Sequence, residues 1–228
     1  MRMLVVLLAC FGLAAASLYH IDQPVPRSLA HAEYYVSARL WGQGGALMRV
    51  GIGLFDRLTL GVAYGGDRLV GYETPLMYNR PEFFGRGAIL LEQGFFPDLV
   101  VGFESQGFDS QGPDGDYGVL PKGGFLSIGK TIEPTRTYLQ AAVNYWDGVS
   151  GFAVANQYLP GGFEMVLEYD LATNDNRQGT GGRGFLNAGI GWTFNDQFRF
   201  GLALRDIVGN RPDFPRNRVL DISFHDLF

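Results

Sequence analysis

The sequence has little of several things that soluble or catalytic domains usually carry. It contains one cysteine, Cys10, so a disulfide scaffold or a cysteine-built metal site has no second thiol to draw on. Three histidines, His20, His31 and His225, leave few side chains for acid–base or metal chemistry near neutral pH. Charged residues make up 18% of the 228 positions, against roughly 25% in an average soluble domain. No Lys/Arg-rich block occurs and the formal net charge is −5, which argues against a nucleic-acid surface. Beyond residue 16 no apolar run approaches the roughly 18 residues of a membrane helix. A chain of this kind enters a membrane only as strands.

Glycine and aromatic residues are abundant, with 33 glycines and 14% aromatics. The mean hydropathy is nevertheless only +0.03, so apolar and polar residues are interleaved. The first residues read as a secretory signal: Arg2, the apolar "LVVLLACFGL", then Ala14–Ala16 as a small-residue cleavage site before Ser17. A rival reading takes "LLAC" as a lipobox with Cys10 lipidated, at the expense of a very short apolar region. Cleavage after Ala16 would remove the cysteine. The expected organisation is a signal at 1–16, an extended periplasmic linker at 17–31, where Pro24 and Pro26 interrupt an aperiodic stretch, and a β-barrel over 32–228.

From residue 32 onward, alternation with period two fits better than any helical pattern. Phe163, Met165, Leu167, Tyr169 and Leu171 share one face, and Glu164, Val166, Glu168 and Asp170 the other. The pattern predicts strands over 32–42, 45–54, 57–65, 84–93, 98–106, 122–131, 136–145, 149–157, 162–171, 184–194, 197–206 and 217–228. Most approach the 9 to 11 residues of a tilted strand that crosses a bilayer. Links such as Phe55-Asp56 and Asn195-Asp196 are short, whereas most of the alternate links are long. That sorting predicts an all-β, transmembrane, antiparallel up-and-down barrel of about twelve strands with short periplasmic turns.

On this topology Tyr64, Phe103, Tyr145 and Tyr169 fall at the outer interface and Phe55, Phe96, Tyr158, Phe194 and Phe228 at the inner one, as two aromatic belts. Arg39, Arg49, Arg57, Arg86, Glu92, Glu104, Glu164, Glu168, Asp170, Arg199, Arg205 and Asp221 take the parity opposite the aliphatic face and are expected to line the lumen. Both signs occur, so pairing across strands is expected to limit the cost of enclosure. The last strand, "NRVLDISFHDLF", is expected to pair with the strand near Glu33–Trp41 and close the sheet.

The segments "GLFDRLTLGVAYGGDRLVG", "LVVGFESQGF", "LEYDLATNDN" and "GFLNAGIGWTFNDQFRFGLALRDIVGN" resemble barrel segments of the YjbH-like outer-membrane proteins. The resemblance implies a short, single-barrel relative and a non-enzymatic role in envelope or exopolysaccharide biogenesis. Outer-membrane lipid and lipopolysaccharide, with polysaccharide or export components, are the expected partners. Leu220, Ile222, Phe224 and the terminal Phe228 also look like the signal that such barrels present to the barrel-assembly machinery, although Asp226 stands where an apolar residue is common.

Residues that invite a chemical reading have a plainer one. Asp221, Ser223 and His225 share a parity, but successive side chains on one face of a strand stand about 7 Å apart, beyond direct hydrogen-bond reach. Asp109, Asp114 and Asp116 lack the closing Glu of a calcium loop, and "GTGGRG" opens no helix that would cradle a phosphate. Glu164, Glu168 and Asp170 are expected to match Arg199 and Arg205 rather than to act on a sugar. Trp146 and Tyr117 are candidates for stacking on glycans. No cofactor or metal is expected. Two other functions fit the pattern: a narrow porin-like channel for small solutes, and a secreted soluble β-protein that binds glycans, with its aliphatic face inside.

A barrel predicts that the protein sediments with membranes and migrates faster on a gel unheated than boiled. Solubility without detergent, with no heat-dependent mobility, would contradict it.

Overall fold

The structure is a computed structural model that describes residues 17–111, 117–176, 183–210 and 217–228. The expected signal with Cys10, Asp114, Asp116 and most of "GTGGRG" lie outside the described residues. Twelve strands form the wall: β1 (Glu33–Trp41), β2 (Gly45–Leu54), β3 (Leu58–Asp67), β4 (Glu82–Leu90), β5 (Asp98–Glu104), β6 (Gly123–Ile132), β7 (Thr137–Tyr145), β8 (Val149–Tyr158), β9 (Phe163–Asp170), β10 (Phe185–Phe194), β11 (Phe198–Arg205) and β12 (Asn217–Leu227). Each lies within three residues of the span expected from alternation. Three short strands add to the loops: Leu76–Met77 extends the end of β3, and Phe108–Gln111 pairs with Tyr117–Val119.

Every barrel strand pairs with its neighbours in sequence, and β12 returns to β1 with Arg39 opposite Asp221 and Val36 opposite Phe224. The antiparallel barrel is therefore closed, and no barrel strand is left as a free edge. Even the last amide is used: that of Phe228 donates to the Ala32 carbonyl at 3.0 Å. Short turns join strands at one end of the barrel, and most long loops gather at the other. Two of the short turns, Phe55-Asp56 and Asn195-Asp196, hold both central residues at positive φ (56° and 58°, 51° and 55°). This turn backbone matches the twist of paired strands, and the Arg57 and Gln197 amides close it onto the Leu54 and Phe194 carbonyls, each at 3.2 Å. Phe55 is bulky for that conformation. His31 holds it, stacking on the Phe55 ring at 5.9 Å, accepting from its amide at 3.2 Å, and donating its own amide to Asp56 at 2.8 Å.

Polarity is inverted relative to a soluble protein. Leu202 and Ile190 are each 57% exposed on the outer face, whereas Arg39 and Arg86 are each 1% exposed inside. This overturns the soluble alternative, which required the aliphatic face within. At the turn end of the outer face, Trp192 lies between Phe163 and Phe200, and Phe198, Phe224, Tyr34 and Phe228 continue the belt onto β1.

The stretch 17–31 is not an extended linker outside the barrel. Leu18 to Val25 lies within the lumen, with Gln23 fully buried. The reason is visible in two glycines. A Cβ on Gly53 would collide with Leu29 and the Ala30 carbonyl, and one on Gly129 with Tyr138 and the Pro26 ring. Bare backbone at these wall positions leaves the inserted chain its room. Gly53→Val should therefore expel the inserted segment, giving trypsin access to Arg27 in the folded barrel. An unchanged digestion pattern would contradict this close packing.

Candidate functional site in the lumen

The inserted segment is a tight hairpin. The Val25 amide donates to the Leu18 carbonyl at 2.9 Å and the His20 amide to the Gln23 carbonyl at 3.0 Å, leaving Ile21 and Asp22 at the tip. Its amides and carbonyls then find partners on the wall. Glu168 on β9 accepts from the amides of Ile21, Asp22 and Gln23 at 3.1, 2.8 and 3.3 Å, and from Asn187 Nδ2 at 2.7 Å. One carboxylate thus satisfies three amides that a tight turn cannot pair internally. Arg86 on β4 grips both legs, donating to the carbonyls of Leu18 (2.8 Å) and Val25 (3.2 Å) while pairing with Glu104 at 2.6 Å.

Asp22 at the tip is the hairpin's own charge. It bridges Arg39 on β1 (2.8 Å) and Arg205 on β11 (2.6 Å), and Arg39 holds Asp221 through two contacts of 2.9 Å. A second patch joins His20 Nε2 to Gln140 at 2.9 Å, with the Gln140 amide donating to the Pro24 carbonyl at 2.7 Å and Ser127 at 2.9 Å. Burial pushes His20 down to about 4, more strongly than its contacts with Glu164 and Gln140 raise it. The imidazole docked in the lumen is neutral.

The opposite mouth is filled as well. Phe108, at the start of a loop strand, is buried with its ring centroid 4.5 Å from the Arg39 guanidinium carbon and 5.6 Å from that of Arg205. Tyr117 packs edge-on to Tyr78 at 5.4 Å. It is therefore part of the mouth's packing and not a free platform for sugars. Trp146 is half-buried, 6.4 Å from Phe103.

Of the charges expected in the lumen, Arg39, Arg49, Arg86, Glu104, Glu164, Glu168, Asp170, Arg199 and Arg205 are buried there, and Asp221 joins them through Arg39. Two do not belong. Arg57 sits in the exposed turn after β2, donating to the Ala88 and Ile89 carbonyls, because its side chain lies beyond the end of β3. Glu92 lies past β4 at the rim, accepting from Thr131 and pairing with Lys130 at 3.1 Å. Glu164 pairs with Arg199 as expected. Asp170 instead meets Lys122, and Glu168 serves the hairpin.

The aromatics Tyr64, Phe103, Tyr145, Tyr169, Phe55, Phe96 and Phe194 are exposed on the outer face or its rims. Tyr158 is the exception: it shares the inward parity of Asn156 and stands opposite Glu164 in the ladder. His225 contacts Glu33 across the β1–β12 seam rather than Asp221. Leu220, Ile222 and Phe224 occupy the outward parity of β12, Phe224 packing at a tilt on Phe198 with ring centroids 4.5 Å apart, and Phe228 is 83% exposed at the turn-end rim.

No family model and no curated protein matches the chain. Solved structures do match. One is a chain from a structure concerned with in-meso crystallization of membrane proteins (11% identity, 86% of this chain and 84% of that one, TM-score 0.44). Another is a triple mutant of Rh. blastica porin (10%, 80% and 55%, TM-score 0.39). A third is Salmonella typhi OmpF in complex with daunomycin (15%, 80% and 62%, TM-score 0.36). The chain thus spans little more than half the length of these two porin chains.

Two outcomes test the latch. Asp22→Ala leaves Arg39 and Arg205 without their shared carboxylate, and should cost about 3–5 kcal/mol in urea unfolding of the protein from lipid vesicles. An effect below about 1 kcal/mol would contradict a buried bridge. Because free His20 protonates near its ordinary value of about 6.5 while the docked ring resists protonation down to about 4, docking is strongest above pH 6.5. It weakens as pH falls from there towards 4. Hydrogen-exchange protection of the tip amides, corrected for intrinsic rates, should drop across that window and become flat in His20→Gln.

Proposed function

We propose that this chain is an integral outer-membrane barrel, shut in its resting state, that serves the envelope as a non-enzymatic accessory component. Strands of 7 to 11 residues, an outer face of exposed aliphatic side chains bounded by aromatic residues at both ends, and a charged interior together suit a bilayer. The observation that carries the closed state is the hairpin of residues 18–25. It is buried from Leu18 through Val25 and meets Phe108 above a shared set of arginines. The tie to exopolysaccharide biogenesis, and polysaccharide or export components as partners, are supported by the YjbH-like resemblance of the strand segments. Assembly through the terminal Phe228 is part of the same reading.

A second reading is a narrow porin-like channel for small solutes that conducts after the hairpin leaves. It is favoured by the nature of the contacts. The tip is held by ion pairs and hydrogen bonds that water can replace, and its departure would leave a ring of wall charges suited to an aqueous path.

Planar-bilayer recordings test both. The intact chain should give no steps at neutral pH; steady conductance from it would contradict the sealed barrel. Deleting residues 18–25 should also leave a silent protein if the role is purely accessory, whereas discrete ion-conducting steps would establish the channel reading.

A further inference from the structure

Among the lumen cations, Arg49 on β2 stands apart. Arg39, Arg86, Lys122, Arg199 and Arg205 each reach a carboxylate. Arg49 is only 2% exposed, and among the described residues its Nε has no hydrogen-bond partner. Its guanidinium carbon lies 4.2 Å from the Tyr19 ring centroid and 5.2 Å from that of Phe108. Directly across the β1–β2 ladder on the same inward face is Ser37, 3% exposed, whose Oγ is also without a partner among the described residues.

The two rings attract the cation, but they offer nothing to its N–H groups, which point outward in the guanidinium plane. An enclosed positive charge with an idle Nε–H is costly unless a negative charge meets it. The unpartnered hydroxyl of its ladder neighbour Ser37 offers a second donor on the same inward face. We propose that the lumen holds a small monovalent anion, of halide size, bound by the edge of Arg49 and the Ser37 hydroxyl. The size limit follows from burial, since Arg49 and Ser37 are only 2% and 3% exposed and two rings already flank the guanidinium.

Tyr19 belongs to the hairpin and Phe108 to the mouth loop, so the site is complete only when both inserts are in place. Anion binding therefore favours the closed lumen.

The test uses the full folded chain in detergent micelles. Thermal unfolding is followed in sodium chloride, sodium bromide and sodium gluconate at equal ionic strength, for the wild type, Arg49→Gln and Ser37→Ala. The wild-type midpoint should rise with halide but not with gluconate, by mass action on the folded state. Ser37→Ala should weaken the apparent halide affinity several-fold and Arg49→Gln at least tenfold. A halide response in Arg49→Gln equal to the wild type's would overturn the site. If that variant does not fold, anomalous scattering from wild-type crystals grown in bromide decides. Bromide within hydrogen-bonding distance of Arg49 supports the proposal, and bromide bound elsewhere or nowhere overturns it.

Discussion

The rest of the structure depends on one constraint: a closed sheet that turns its aliphatic residues outward must take its charges inside, and inside there is little water to solvate them. Each buried cation then needs an acceptor and each carboxylate a donor, or the inverted fold is too costly to hold. Part of this is met on the wall, where Arg39 faces Asp221 and Arg86 reaches Glu104. Much of the remainder is met by the inserted hairpin. Asp22 supplies the acceptor that Arg39 and Arg205 share, and the hairpin's amides add three donors to the one that Glu168 finds on the wall at Asn187. Plug and wall are thus electrostatic complements, and the hairpin is as much a part of the core as any strand.

What could be read from the sequence follows from this division. The wall strands were legible because one face meets an apolar medium and the other a polar one, so composition alternates with the pleat. Closure by β12 was legible for the same reason, and so were the buried Arg39, Glu104 and Glu168. Gln140 and Asn187 obey the same parity, between Leu139 and Ala141 and between Leu186 and Ala188, and could have been named by it. Parity fails once a strand has ended, which is why Arg57 and Glu92 lie on the rim. Tyr158 sits on the inward parity beside Asn156, and grouping it by its nearness to a turn put it on the wrong face.

The hairpin was illegible for a physical reason. Leu18 to Val25 is surrounded by side chains of many strands, and no single face of it meets a uniform medium. Its sequence therefore carries no period, and Pro24 within it and Pro26 just after it read as a linker. Burial of Phe108 was hidden in the same way, at the start of a loop rich in Asp, Gly and Ser that looks solvated. Glycines were the available signal. Gly53 and Gly129 show where the backbone is approached, but not by what.

The central claim, that residues 18–25 seal the barrel, is tested most directly by accessibility at Gln23, which is fully buried. In a Cys10→Ser background, Gln23→Cys should resist a membrane-impermeant maleimide in intact cells and in lipid vesicles and react only after unfolding. Glu73→Cys, at a side chain 71% exposed in a long loop, should react at once when that loop faces the reagent. Labelling of the Gln23 position as fast as that of Glu73 in the folded protein would contradict the sealed lumen.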